Sequence, residues 1–227
     1  IFQKRCVDVM IKDMGSREFL SKYDTFMWYP AEVDVSIRPG WFYHPLETIF
    51  IKSIKKLMRI YYDSVGGNSL LLLNIPPNRK GLLCKKDVKR LREMGERIEM
   101  IEFSRIHNVK YESDIAGKED FKISNIYEGK AFSPIETRDK YNLIAQFEKT
   151  VVDKVILKED TDFSQRVESF SLFAQTEEGE KEIYKGTVIG FNKIALFKPI
   201  ETSKLRLEIN SCRFEPYINS FQIIRKN

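Results

Sequence analysis

The sequence predicts an α/β segment followed by an all-β segment. Over residues 28–101, strand-like and helix-like stretches alternate in the order strand, helix, strand, helix. After Glu102 the pattern changes to strand-like runs separated by Asp, Gly and Pro residues. The chain has 227 residues, of which 42% are hydrophobic and 31% charged, so its composition is that of a globular protein with one or two cores.

The first predicted strand, within residues 28–38, alternates between apolar and polar side chains. Its apolar residues point to one side and its polar residues to the other: Ala31, Val33, Val35 and Ile37 against Glu32, Asp34 and Ser36. Pro39 and Gly40 then end the strand. A surface strand could have this pattern, but the segments that follow favour a barrel strand whose polar face looks inward.

Two helices and a second strand follow. The apolar spacing predicts a helix over 46–64, and Gly66-Gly67 supplies a left-handed cap at its end. Residues 69–75 form a continuous apolar run that is typical of a parallel strand buried on both faces. A second helix is predicted over 86–101. This order predicts a right-handed parallel crossover, which fits a small doubly wound α/β domain or the end of a larger barrel.

The C-terminal half predicts an all-β sandwich, in the form of a jelly-roll of the galactose-binding type. Residues 103–120 are interpreted as a polar linker that leads into it. The candidate strands are 121–127, 142–152, 154–158, 167–175, 182–189, 194–197, 205–209 and 221–224.

The charge and the cysteines exclude several classes of protein. The net charge is +5, and the charges are mixed along the chain, whereas a nucleic-acid binder usually concentrates its basic residues on one face. Cys6, Cys84 and Cys212 fit neither a metal-ligand spacing nor a disulfide framework, so we expect free or buried thiols. The sequence shows neither an apolar run of membrane-spanning length nor a signal peptide, and no compartment is implied.

Two motifs carry a family resemblance. PAEVDVSIRPGWFYH at 30–44 and GGNSLLLLNIPPNRKG at 66–81 resemble glycoside hydrolase family 29, the retaining α-L-fucosidases. The form SIRPGWFYH is closer to the branch that cleaves α-1,3/1,4-linked fucose. The resemblance continues more weakly through VILKEDTDFSQRVESF and TVIGFNKIALF in the C-terminal half.

The resemblance implies a domain organisation. Residues 1–102 would be the last two βα units of a (β/α)₈ TIM barrel, 103–120 a linker, and 121–227 a C-terminal β-sandwich. Such a barrel typically needs ~250 residues. The chain begins at Ile1 in a helix-like segment, so we expect the N-terminal portion of the barrel to lie upstream of this sequence.

The implied activity is the removal of terminal α-linked fucose from oligosaccharides or glycoconjugates, without cofactor or metal. The parent enzyme would be secreted or periplasmic, and the chain alone would be inactive. The alternative is a non-catalytic carbohydrate-binding or interaction module in which the sandwich does the work. An exposed aromatic platform on the sandwich would favour the alternative, and an open cleft lined by Trp41 would favour the enzyme.

The carboxylates of the first strand are candidate catalytic groups. Retaining hydrolysis needs two carboxyl groups about 5–5.5 Å apart, on either side of the sugar. Glu32 and Asp34 are two apart on one strand, so they point in parallel and cannot flank a sugar. The resemblance places the nucleophile and the usual acid/base before this chain, which leaves Glu32 as a candidate acid/base or as a buried partner that orients the catalytic groups. A buried Glu32 and Asp34 would each need a donor such as Arg38.

Trp41 is the strongest candidate for substrate contact. It follows the carboxyl end of a strand, where barrel active sites are built, and its ring suits the C6 methyl group of fucose. A tryptophan of the barrel rim that serves only packing is the alternative. His44, Arg38 and Asp34 complete the predicted substrate-binding set, and Asn74 and Asn78 could support it. Trp28 is interpreted as a packing residue.

Overall fold

The computed structural model describes residues 17–25, 30–136 and 140–226, so Trp28 and Cys6 lie outside the described residues. The helices are α1 (Arg17–Leu20), α2 (Ile54–Ser64) and α3 (Lys85–Phe103). The strands are β1 (Glu32–Ser36), β2 (Leu70–Asn74), β3 (Lys110–Ser113), β4 (Tyr141–Glu159), β5 (Val167–Thr176), β6 (Gly179–Gly186), β7 (Lys193–Cys212) and β8 (Ile218–Arg225). Within these residues, no helix is both long and apolar enough to cross a membrane.

Strands β1 and β2 form a two-stranded parallel sheet, which confirms the predicted pairing. The register runs from Glu32 opposite Leu70 to Ser36 opposite Asn74. Leu71 and Leu73 pack into a core with α2 and α3. The expectation that β2 is buried on both faces is wrong for the described residues, because Leu70 and Leu72 are 59% and 42% exposed.

The predicted helix over 46–64 is divided in two. A 3₁₀ turn spans Pro45–Ile49, and α2 begins only after Ser53, whose hydroxyl accepts a hydrogen bond from the Lys56 N–H. The residues between these two helices hold the chain against β1, since Lys52 N–H donates to the Ile37 carbonyl at 2.9 Å. Helix α3 agrees with the predicted span of 86–101.

The C-terminal strands form one hydrogen-bonded sheet in the order β3-β4-β7-β5-β6, with β8 also paired to β4. Strand β4 pairs with β3 through residues 143–146 and with β8 through residues 152–159, so its two halves have different neighbours. Most buried apolar side chains of β4, β5, β7 and β8 enter one hydrophobic core, whereas Ile156, Ile194 and Ile224 pack into the core of the helices. The two-layer sandwich stays a prediction.

Several predicted boundaries in this half are corrected. Residues 121–127, predicted as a strand, lie largely in a 3₁₀ helix, Ile123–Glu128. The supposed linker contains β3, which pairs with β4, and its Ile106, Val109 and Ile115 are buried. Four predicted short strands are two long ones, β4 and β7. The predicted β7 was divided because Pro199 was read as the end of a strand. In the structure, Pro199 lies at a register shift between the pairs Val152–Ile200 and Lys154–Leu196. A residue without an N–H donor is tolerated at such an irregularity.

The end of α2 is joined to the C-terminal sheet by backbone and side-chain hydrogen bonds. Ile194 N–H donates to the Gly66 carbonyl at 3.0 Å, and the Asn68 amide donates to the Ile189 carbonyl at 2.9 Å. The left-handed conformation predicted at Gly66-Gly67 belongs instead to Asn68, with φ 67°. Gly66 is needed for close approach, because a Cβ there would lie 2.7 Å from Ile194 Cβ.

Replacing Gly66 should therefore test this junction. In Gly66→Ala, the new methyl group would also meet the Tyr62 carbonyl oxygen at 2.4 Å, and overpacking of this kind costs about 1–3 kcal/mol of unfolding free energy. Gly95→Ala is the matched control, because apart from its chain neighbours and the backbone of its own helix no atom lies within 4 Å of the Cβ position. That change should stabilise the chain by up to ~1 kcal/mol through helix propensity. Denaturant unfolding measures the change in unfolding free energy for each variant. A Gly66→Ala variant as stable as the unchanged chain would contradict the close contact.

Candidate functional site

The candidate site lies at the edge of the parallel sheet where β1 and β2 both end. The strands are parallel and in register, so Ser36 and Asn74 are neighbours at this edge. The segment 37–50 follows β1, and the segment 75–84 follows β2. Both segments therefore start from the same edge, as the sequence predicted for Trp41.

Trp41 is held at this edge through its backbone. The Asn74 side-chain amide donates to the Trp41 carbonyl at 2.7 Å, and the Ser36 hydroxyl donates to the Gly40 carbonyl at 2.8 Å. The Ile37 N–H donates to the Asn74 carbonyl at 2.9 Å, which extends the strand pairing by one bond. The Trp41 side chain is 44% exposed. Its position is fixed while part of its ring stays open to a ligand.

Arg38 is the structural centre of the segment 37–50. It is fully buried. Its Nε and one terminal nitrogen donate to the same oxygen of Asp87, at 3.0 and 2.9 Å, and Asp87 is fully buried in the first turn of α3. Its other terminal nitrogen donates to the His44 carbonyl and the Thr48 hydroxyl, both at 3.1 Å. One side chain thus joins the end of β1, the following 3₁₀ turn and α3.

These contacts correct the expected role of Arg38. It pairs with Asp87, not with Glu32 or Asp34, and its complete burial leaves no surface for substrate. The physical reason is that β1 ends at Ser36. The two-residue alternation that would place Arg38 beside Asp34 stops there, and the turning backbone directs the guanidinium towards α3.

A second cation, Lys52, fixes the turn that follows β1. Its ammonium donates to the carbonyls of Ser36 at 2.6 Å and Arg38 at 3.0 Å. Burial, together with the nearby charge of Lys56, lowers the pKa of Lys52. The Lys52 carbonyl in turn accepts a hydrogen bond from Arg90 of α3 at 3.1 Å.

Glu32 and Asp34 lie on the face of β1 that is exposed in the described residues. Their neighbours across the strand pair are Leu70 and Leu72, so the face alternates between carboxylates and leucines. The expected burial of the two carboxylates is therefore wrong within the described part of the chain. The two side chains lie on the same face of β1, as predicted.

The other predicted site residues take backbone or local roles. The His44 side chain is exposed, and its carbonyl accepts from Arg38. Asn78 organises its own turn, because its side-chain oxygen accepts from the N–H groups of Lys80 and Leu82. Tyr43 lies against Arg38, with 4.9 Å from the guanidinium carbon to the ring centroid. A hydrogen bond with Cys84, and then burial, raises the pKa of Tyr43.

Comparisons with known proteins agree with this arrangement. The family model described as Alpha-L-fucosidase matches residues 8–101, which include both strands and most of α3. Over 203 residues the chain is 36% identical to Alpha-L-fucosidase 1 of Arabidopsis thaliana, and the match covers 85% of this chain and 40% of that protein.

Two solved structures share the fold. The crystal structure of SpGH29 has a TM-score of 0.82 and 27% identity, covering 87% of this chain and 44% of that one. A glycoside hydrolase 29 family member from an unknown rumen bacterium has a TM-score of 0.72 and 27% identity, covering 88% of this chain and 33% of that one.

The family model, the plant relative and the solved structures all make this chain similar to one group of proteins, the α-L-fucosidases of glycoside hydrolase family 29. The chain spans 40% of the length of the Arabidopsis relative.

Removing Asp87 should destabilise the chain strongly. Asp87→Ala leaves the Arg38 guanidinium buried without its counter-charge, a change that typically costs about 3–5 kcal/mol. The matched control is Asp63→Ala, because Asp63 pairs with Arg59 at 2.7 Å on the exposed surface of α2, where such pairs contribute only ~0.5 kcal/mol. Denaturant unfolding measures both. Equal small losses would show that the buried pair does not hold the segment 37–50.

Proposed function

We propose that this chain is the C-terminal portion of a retaining exo-α-L-fucosidase that removes terminal α-1,3/1,4-linked fucose from fucosylated glycans. The observation that carries the proposal is Trp41, which is 44% exposed and is fixed through its carbonyl at the carboxyl edge of β1, the strand that presents Glu32 and Asp34 on its open face. The 36% identity to the plant α-L-fucosidase supports the same activity.

The parallel sheet supports a barrel remnant. Helices α2 and α3 pack against one face of β1 and β2 through a shared apolar core, and the opposite face presents Glu32, Asp34, Leu70 and Leu72. In a (β/α)₈ barrel the helices form the outer ring and the opposite face looks into the interior. We therefore infer that residues 1–102 are the last two βα units of such a barrel. The β-sandwich of 121–227 would follow, with β3 of the preceding segment as part of its sheet.

The chemistry needs groups from other strands. In a retaining double displacement, one carboxylate attacks the anomeric carbon, and a carboxylic acid protonates the leaving oxygen and later deprotonates water. Glu32 and Asp34 project in parallel from one strand and reach a bound sugar from the same side. We assign the nucleophile, and the principal acid/base, to barrel strands outside this chain. Glu32 keeps the role of orienting those groups or of acting as the acid/base itself.

Trp41 would supply the apolar wall of the sugar site. Fucose has a methyl group at C6, so one side of the sugar is apolar and packs favourably against an indole ring. Four residues would position Trp41 without touching the sugar, because they fix the backbone that carries it: Arg38, Asp87, Asn74 and Lys52. Asp34 and the exposed His44 side chain are the polar groups that we propose for the fucose hydroxyls.

The alternative, a non-catalytic carbohydrate-binding module, has one observation in its favour. The Phe163 ring, at the end of the C-terminal sheet, is 37% exposed. The fucosidase proposal remains the better supported of the two, because the family match covers the parallel sheet and not this region.

Changing Trp41 should separate binding from stability. In the complete enzyme, Trp41→Ala should weaken binding of an iminosugar analogue of fucose roughly tenfold, since an aromatic contact contributes on the order of 1 kcal/mol beyond its buried area. Trp41→Phe, which keeps an aromatic wall, is the matched control and should retain most of the affinity. Inhibition constants and melting temperatures are measured for both. Unchanged affinity with a lowered melting temperature in Trp41→Ala would assign the residue to packing.

The isolated chain should release no product from an aryl α-L-fucoside. Catalysis needs groups contributed by several strands of a barrel, and without the nucleophile the covalent intermediate cannot form. The assay uses the purified 227-residue chain, with the Glu32→Gln variant in parallel. Turnover that persists on purification and disappears in Glu32→Gln would contradict the assignment and would make Glu32 a catalytic residue of this chain.

A further inference from the structure

An aromatic cluster stands at one end of the C-terminal sheet, away from the β1–β2 edge. The Phe163 ring is stacked on the Tyr217 ring at a centroid distance of 4.0 Å and an interplanar angle of 12°. Phe121 meets the edges of both rings, at 5.6 Å from Phe163 and 4.8 Å from Tyr217. Tyr217 is buried, whereas Phe163 is 37% exposed. We call the three rings the Phe163 platform.

The segment that carries Phe163 is held in a strained conformation. Ser164, the next residue, has φ 71° and ψ 162°, a region that residues other than glycine rarely adopt. Such strain costs on the order of 1–3 kcal/mol, persists only where the surroundings enforce it, and is concentrated at binding and catalytic sites.

Three sets of hydrogen bonds enforce this conformation. The buried Glu159 carboxylate accepts the backbone N–H groups of Arg166, Val167 and Gly190 at 2.8–2.9 Å. Arg166 donates from Nε to the Phe163 carbonyl and from a terminal nitrogen to the Glu215 carbonyl, both at 2.8 Å. The Asp160 N–H donates to the Tyr217 carbonyl at 2.7 Å. The orientation of the platform is therefore fixed before any ligand arrives.

Polar groups of both signs border the platform. The Lys118 ammonium donates to the Tyr217 hydroxyl at 3.3 Å and lies 3.7 Å from the Glu215 carboxylate. It also lies 5.2 Å from the Tyr217 ring centroid. The side chains of Lys118 and Glu215 are 32% and 26% exposed, so a hydrogen-bond donor and an acceptor reach solvent beside the aromatic surface.

We propose that the Phe163 platform binds one pyranose unit of a neutral glycan. A pyranose has an apolar face of C–H groups that stacks on an aromatic ring, and neighbouring hydroxyls that donate and accept at its rim. The platform offers both kinds of partner: the partly exposed Phe163 ring, fixed against Tyr217, and the Lys118–Glu215 pair beside Tyr217. Lys118 and Glu215 compensate each other. The Arg166 guanidinium carbon lies 5.1 Å from the Tyr217 ring centroid, but this side chain already donates to the Phe163 and Glu215 carbonyls. The platform therefore lacks the excess of available cations that a phosphate or a nucleic acid would require.

The proposal is independent of the fucosidase activity, because the residues involved belong to the C-terminal sheet and its loops. If both hold, the sheet would keep the enzyme near a glycan surface while the barrel acts on chain ends. Two weak sites on one chain raise the effective concentration of each ligand at the other.

Ligand-observed saturation-transfer NMR on the 227-residue chain tests the platform. The probes are methyl α-L-fucopyranoside, methyl β-D-galactopyranoside and methyl β-D-glucopyranoside, each up to high-millimolar concentration. At least one should receive saturation, and its affinity should fall about tenfold in Phe163→Ala, because the stacking contact is lost. Phe163→Leu, which keeps apolar contact with Tyr217, should show the same loss without unfolding. Melting temperatures confirm the fold of each variant.

Two controls decide where a bound sugar lies. Phe191→Ala removes an exposed phenylalanine elsewhere on the sheet and should leave binding unchanged. Trp41→Ala removes the other candidate site, and platform binding should survive it. Binding that is lost in Trp41→Ala and retained in both Phe163 variants would overturn the platform while supporting the proposed function. No saturation of any of the three glycosides would also overturn the platform.

Discussion

The candidate site depends on the buried ion pair between Arg38 and Asp87. The two side chains are fully buried, and Arg38 uses its remaining donors on a carbonyl and a hydroxyl of the segment 37–50. Within the described residues, the second oxygen of Asp87 has no hydrogen-bond partner, so the carboxylate relies on Arg38 and on its place in the first turn of α3. A buried pair of this kind adds little net stability over an apolar packing, but breaking it is costly. Its value here is that it specifies one conformation for the backbone that presents Trp41.

The C-terminal sheet packs against the helices that cover the β1–β2 sheet. Gly66 lets the end of α2 approach Ile194 closely, and Ile156, Ile194 and Ile224 of the sheet share one core with Leu57 and Ile101 of the helices. The strand pair is thus backed by helices, and the helices are backed by the sheet. Within the described residues, the face of the strand pair that carries Glu32 and Asp34 stays open, and it is the face that the proposed barrel would enclose.

Sequence patterns predicted the local structure where one periodicity dominated. The alternation of β1 and the helical spacing of α3 were both confirmed. The partner of Arg38 was not predictable, because Asp87 is 49 residues away along the sequence. Residues 121–127 have strand-like composition but close on themselves as a 3₁₀ helix, since tertiary packing overrides a weak propensity. The exposure of Leu70 and Leu72 depends on what covers the sheet, which local sequence does not encode.

The most direct test of the central claim is a crystal structure of the complete enzyme with a fucose analogue bound. We expect the C6 methyl group to lie against the Trp41 ring, with β1 and β2 closing a barrel whose interior contains Glu32 and Asp34. An analogue bound away from Trp41, or a β1–β2 face covered by something other than barrel strands, would contradict it.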